Sequence, residues 1–286
     1  MPSYPFRLVD VFSSQPFRGN PLAVVHHAQT LDETAMKRIA SWLHLSETVF
    51  LLPPTQADAD YQMRIFTANG TELPFAGHPT LGACHAWLQT GIQPKHTGKI
   101  IQQCKVGLVE IRQMNPAYRS FAAPPIQRTP LAKADLELIC RALDLDCSQV
   151  VDHQRLDAGR PYNALLLDSA QTVLNVIPNL QMLGEAGLDV GLIGPHENIA
   201  ENADSPQFEV RFFAPVMGVA EDPITGSLNA SLAQWLIATH QAPTHYLAAQ
   251  GTVLGRTGRI YIQQDDAGQV WVGGHTTTCS EGNLQL

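Results

Sequence analysis

With 286 residues, 44% hydrophobic content and 26 acidic against 18 basic side chains, the chain can build one large or two medium domains and carries a formal charge of −8. No run of like charge concentrates that excess, which argues against a nucleic-acid partner. The first residues lack the apolar stretch of a secretion signal, and no apolar run approaches the roughly 18 residues of a membrane span, so the expectation is a cytoplasmic protein with no membrane partner.

In the first half, short runs rich in β-branched or aromatic residues predict strands at 6–11, 23–26, 48–52, 61–66, 99–104 and 107–113. Thr30 followed by Glu33 is a capping-box pattern and predicts a helix over 31–43. The two prolines of Ala122-Ala123-Pro124-Pro125 deny the chain further ladder donors and mark a seam. Beyond it, strands are expected at 163–167, 188–193, 208–213, 258–263 and 270–274, with a short helix near 180–186. Cys84, Cys104, Cys140, Cys147 and Cys279 make an odd number with no close metal-ligand pairing and read as reduced, mostly buried thiols.

One pattern occurs twice. Arg64-Ile65-Phe66 is followed by Gly77-His78-Pro79-Thr80, and Arg211-Phe212-Phe213 by Gly226-Ser227, 147 residues later by the spacing of the two arginines (211 − 64). Two copies of one half-site imply a cleft between two similar halves. The segments after each glycine, 79–88 and 227–238, contain no Asp, Glu, Lys or Arg and a single histidine, His85. A helix that is apolar all round is buried all round, and in a strand-rich half its natural place is inside a curled sheet. Pro79 suits a first helical position and Ser227 or Thr225 a cap. A glycine before a helix is often no more than a tight turn, but the repetition favours function. If the halves face each other, two helix N-termini converge, and a small carboxylate is the expected guest.

Glu47 stands at a junction between a helix and an apolar strand. It is either an exposed loop residue or, if it faces a dry cleft, a carboxyl raised toward neutrality that can take and return a proton. His78 at a helix start and Glu221-Asp222 upstream of the second helix carry the same ambiguity between chemistry and plain structure. His240 and His245, five apart across Pro243, make a poor chelating pair, so no metal is expected.

Phe17-Arg18-Gly19-Asn20-Pro21-Leu22-Ala23-Val24-Val25, Ser46-Glu47-Thr48-Val49-Phe50, Phe75-Ala76-Gly77-His78-Pro79-Thr80 and Glu221-Asp222-Pro223-Ile224-Thr225-Gly226-Ser227 together resemble the phenazine-biosynthesis PhzF-like family, over about residues 8–258. The resemblance implies an α+β fold like that of diaminopimelate epimerase: two pseudo-symmetric halves, each a barrel-like sheet around a central helix. The halves would be 1–123 and 124–275, with 276–286 returning to the first. It implies an isomerase that moves a proton within a small conjugated carboxylate and needs no cofactor, and a homodimeric state. Glu47 matches the catalytic acid/base, and His78, Asp222 and Ser227 match the groups that hold the substrate and assist transfer. Gly77, Pro79, Thr225 and Gly226 belong to the substrate-binding turns. The related epimerases use two cysteines, whose places here are Ala76 and Thr225, so a two-thiol mechanism is not expected. The competing readings are a non-catalytic module that binds a small acid or a protein, and a racemase or epimerase working without paired thiols.

Overall fold

The computed structural model describes residues 2–113, 118–197 and 205–286. The chain divides into two units, Met1–Ala122 with Gly273–Leu286, and Ala123–Val272.

The first unit opens with β1 (Ser3–Val11) and β2 (Asn20–Val25), antiparallel neighbours. Helix α1 (Glu33–Leu43) follows. It starts two residues later than the capping-box reading places it, because Asp32 is the cap: its Oδ1 accepts from the Ala35 N–H at 2.7 Å. Residues Ala28–Thr30 form a separate 3-10 turn, and the Thr30 hydroxyl bonds the Tyr4 hydroxyl instead. The helix ends where His44 turns left-handed at φ 55°, which sends the chain into β3 (Glu47–Leu52). Then come β4 (Tyr61–Thr67), the two-residue β5 (Glu72–Leu73), helix α2 (Gly77–Leu88), β6 (Lys99–Cys104), β7 (Gly107–Gln113) and β8 (Arg119–Ala122).

The second unit contains β9 (Gln127–Thr129), α3 (Lys133–Ala142), β10 (Val150–Asp157), β11 (Pro161–Leu167), α4 (Ala170–Asn175), α5 (Leu180–Glu185), β12 (Val190–Pro195) and β13 (Phe208–Phe213). Helix α6 (Gly226–Ala238), β14 (His245–Gln250) and β15 (Gly258–Gln264) follow, and β16 (Val270–Gly274) begins in this unit and runs past its end at Val272. Strand β17 (Thr276–Gln285) belongs to the first unit and pairs with β1 over nine register positions.

The pairing pattern is the same in both units. Across β1, β2, β3, β4, β6 and β7 the neighbours run antiparallel, parallel, antiparallel, parallel, antiparallel. Across β10, β11, β12, β13, β14 and β15 they run in the same order. Each unit therefore repeats the other strand for strand, and the parallel steps are bridged by helices, as parallel neighbours require.

Within the first unit, α2 packs against β1, β2, β3, β4, β6, β8 and β17. Ten of its twelve residues are buried, including Cys84 and Trp87. Gly82 brings it close to the sheet: a Cβ there would lie 2.5 Å from Leu22 and 3.0 Å from Val11. In the second unit α6 buries ten of its thirteen residues, Trp235 among them, and Gly191 of β12 leaves room for Leu228. The shorter helices α3, α4 and α5 cover the second sheet around Ile139, Val173, Leu183, Leu192 and Phe213.

Cys140 and Cys147 form a disulfide, which corrects the reading of all five cysteines as thiols. Left-handed Asp144, at φ 52°, turns the chain back after α3 and brings the two Cα atoms to 5.8 Å. Cys84, Cys104 and Cys279 remain free.

The doubled Arg motif has a structural meaning at atomic detail. Arg64 of β4 grips Glu72 through two parallel bonds of 2.7 and 3.0 Å, and Arg211 of β13 grips Glu221 through two of 2.9 and 2.8 Å. Both glutamates stand five residues before the glycine that opens the central helix (77 − 72 and 226 − 221). Each guanidinium also lies over the phenylalanine two residues on, at 5.0 Å for Phe66 and 4.8 Å for Phe213. The fork thus ties the strand to the turn entering the helix. The two copies differ in burial. The Arg211 side chain is 3% exposed and also donates to the carbonyls of Val173, Leu174 and Val176, whereas Arg64 is 25% exposed. Removing one partner of a buried pair strands the other, so Arg211→Met is expected to destabilise by about 3–5 kcal/mol and Arg64→Met by about 1 kcal/mol. Urea unfolding of the two variants checks this; equal effects would contradict it.

Candidate active site

Glu47 owes its position to the end of α1. The left-handed His44 stops the helix, and three residues later Glu47 is the first residue of β3, opposite Thr67 of β4. It is 9% exposed, a buried carboxyl rather than a loop residue. His78 is the second residue of α2 and is 4% exposed. Its Nε2 lies 3.5 Å from Glu47 Oε2. Nε2 is fully enclosed and makes no hydrogen bond, so a small adjustment of either side chain, or a ligand atom, would satisfy it.

The helix start differs in detail from the sequence reading. Gly77 is the first helical residue and Ala76 the cap, so Pro79 sits third rather than first. It remains within the turn whose N–H groups have no partner inside the helix, where a missing N–H removes nothing. No side chain caps α2, and none caps α6.

In the second unit, Asp222, Thr225, Gly226 and Ser227 form the turn into α6. Thr225 is at the cap position, but its hydroxyl donates to Asp222 Oδ2 at 2.5 Å rather than accepting from the helix. Buried Gln250 of β14 holds the turn from beneath. Its Oε1 accepts from the Thr225 N–H and the Asn229 amide, both at 2.9 Å, and its Nε2 donates to the Asp222 carbonyl and the Thr225 hydroxyl. The Asp222 N–H donates to the Phe212 carbonyl at 3.0 Å. Ser227 Oγ meets the Tyr162 hydroxyl at 2.8 Å. Sequence reasoning misses Gln250 and Tyr162, since both lie on other strands and neither carries a local pattern.

The first motif, Phe17-Arg18-Gly19-Asn20, is a turn around a buried acid. Asp10 Oδ2 accepts from the N–H groups of Arg18 and Gly19 at 2.7 and 2.8 Å. A Cβ on Gly19 would stand 2.3 Å from the Val11 carbonyl oxygen, so the position admits glycine alone. Among the described residues, no cluster of three or more His, Cys, Asp or Glu is placed to hold a metal ion, and no helix is long and apolar enough to cross a membrane.

The family model described as phenazine biosynthesis-like protein matches residues 9–282. Antisense-enhancing sequence 1 of Schizosaccharomyces pombe is 34% identical to the chain over 295 residues, covering 99% of each. The trans-2,3-dihydro-3-hydroxyanthranilate isomerase of Pseudomonas aeruginosa is 30% identical, covering 98% of each. Among solved structures, a PhzF-family phenazine biosynthesis protein of Bacillus anthracis shares the fold with a TM-score of 0.84 over the whole of both chains, at 21% identity.

Burial holds the His78 imidazole down to about 3 from its ordinary 6.5, so the ring beside Glu47 is neutral at pH 7. Below pH 6.5 the unfolded chain takes up a proton that the folded ring refuses, and stability is lost as the pH falls from 6.5 toward 3. His26 and His85, each held near 4 chiefly by burial, act in the same sense. His78→Gln is expected to flatten the loss of unfolding free energy between about pH 6 and pH 4 by up to about 1.4 kcal/mol per pH unit. Urea titrations across that range measure it, and an unchanged slope would remove His78 from this role.

Proposed function

The chain belongs to the phenazine biosynthesis-like family of isomerases, and on that footing we propose that Glu47 shuttles a proton within a small conjugated carboxylate substrate. The observation that carries this reading is the Glu47–His78 pair: two enclosed, proton-capable side chains 3.5 Å apart, one of them offering a ring nitrogen without a hydrogen bond. A neutral imidazole can donate to a carboxylate or accept from a carboxylic acid, so it tolerates Glu47 in either state of a shuttle. His78 and Asp222 orient the amine or hydroxyl of the substrate. Ser227 and the turns at Gly77, Pro79, Thr225 and Gly226 receive its carboxylate, supported by two helix starts that no side chain caps. The conjugated system spreads the developing charge, so no cofactor enters.

A dihydro-hydroxyanthranilate is the first substrate to try, because the Pseudomonas aeruginosa relative is named for one. Racemisation by paired thiols is disfavoured: the corresponding turns hold Ala76 and Thr225, and burial pushes the Cys84 thiol up to about 12. The proposal includes work in the cytoplasm as a homodimer, for which light scattering should give twice the mass of one chain.

Glu47→Gln preserves shape and removes the transferable proton. It should fold as the native chain does and lose about 10²- to 10⁴-fold in turnover and in solvent deuterium incorporation into the substrate. Equal incorporation by the native chain and this variant would end the shuttle reading. Asp222→Ala should weaken substrate binding and turnover together, measured as KM and kcat.

A further inference from the structure

The strand-for-strand repeat assigns each site residue of the first unit a counterpart in the second. Phe50 of β3 lies opposite Arg64 in β4, and Leu192 of β12 lies opposite Arg211 in β13. Counting back three residues from each, the position of Glu47 in the first unit is that of Asp189 in the second. The parallel registers agree, Ala23 with Thr48 and Asn163 with Val190, and place Arg160 where the first unit has Asn20.

The second unit has therefore kept a buried acid at the position of Glu47, but has given it a cation. Arg160 Nη2 donates to Asp189 Oδ2 at 2.7 Å, and the Val216 N–H donates to the other oxygen, Oδ1, at 3.0 Å. Asp189 is 8% exposed and locked from two sides. Arg160 is not locked in the same way. Its side chain is 32% exposed, and this is its single hydrogen bond among the described residues. Of the five N–H donors of a guanidinium, four remain for a ligand. The guanidinium carbon lies 5.4 Å from the ring centre of Tyr162 and 5.5 Å from that of Phe212, so the plane is braced by two aromatic faces. Tyr162 in turn bonds Ser227 Oγ at 2.8 Å.

We propose that Arg160, oriented by Asp189 and the Tyr162 and Phe212 rings, is the specificity-determining anchor for the substrate carboxylate, acting together with Ser227. The inference rests on the reading of Ser227 as a substrate contact and deepens it. One carboxylate oxygen bonds Ser227 and the other bonds the guanidinium, a span of roughly 8 Å made of two hydrogen bonds and the width of the group. Tyr162 is the spacer between the two anchors. A fixed, planar, partly dehydrated guanidinium favours a carboxylate over a neutral amide of the same shape.

The probes are 3-hydroxyanthranilate and its carboxamide, titrated calorimetrically into the native chain, into Arg160→Lys, and into the paired variant Arg160→Gln with Asp189→Asn, which removes both charges and leaves no stranded acid. The native chain should prefer the acid by at least about tenfold. The paired variant should bind the acid about 10- to 100-fold more weakly with the amide unchanged, and Arg160→Lys should fall between. A native chain without that preference, or a paired variant that keeps it, overturns the proposal. If the paired variant fails to fold, Arg160→Lys decides, and undiminished preference there also overturns it. A native chain that prefers the acid, loses the preference in the variants and yet incorporates no solvent deuterium supports the anchor and sinks the proton shuttle, so the two failures are separable.

Discussion

A helix with no polar face can be stable in water only if something else covers every side of it. The central helices α2 and α6 impose that constraint on this chain, since each buries ten of its residues and carries almost no charge. In the first unit seven strands meet the demand by packing against α2. Burying a helix flank in this way leaves its ends as the places where backbone N–H groups need partners. The Arg–Glu forks act at that point: each ties the strand before the turn to the acid five residues ahead of the helix, so the entry to the helix is fixed by the strand ladder rather than by a capping side chain.

Repetition of the scaffold has not meant repetition of the chemistry. At equivalent positions of β3 and its counterpart, one unit carries Glu47 against a neutral imidazole and the other carries Asp189 against a guanidinium. The Asp189 carboxylate is held by a 2.7 Å ion pair on one oxygen and a backbone N–H on the other. The same scaffold thus places an acid beside an imidazole in one unit and beside a guanidinium in the other.

Much of this is legible in the sequence, for identifiable reasons. The doubled Arg and Gly motifs disclose the repeat, and the lack of charge at 79–88 and 227–238 discloses the buried helices. Glu47 and His78 can each be singled out, but not their proximity, which depends on where α1 stops and α2 starts. The start of α1 escapes the capping-box reading because Asp32 competes with Thr30 for the cap, and Thr30 is drawn off by Tyr4. Strand β17 has no hydrophobic alternation in Thr276-Thr277-Thr278-Cys279-Ser280-Glu281-Gly282; it is a strand because β1 offers it a ladder. The Arg160–Asp189 pair joins residues 29 apart through the parallel step between β11 and β12, a relation that no local pattern announces.

The disulfide at the end of α3 closes a loop of only seven residues' separation. A loop so short restricts the denatured chain weakly, by about 2–3 kcal/mol in the chain-entropy view. The surrounding segment is held independently by Ile139, Ala142 and Leu143 in the apolar cluster of the second unit. The bridge and the apolar layer therefore secure the same helix end by separate means, one covalent and one by packing.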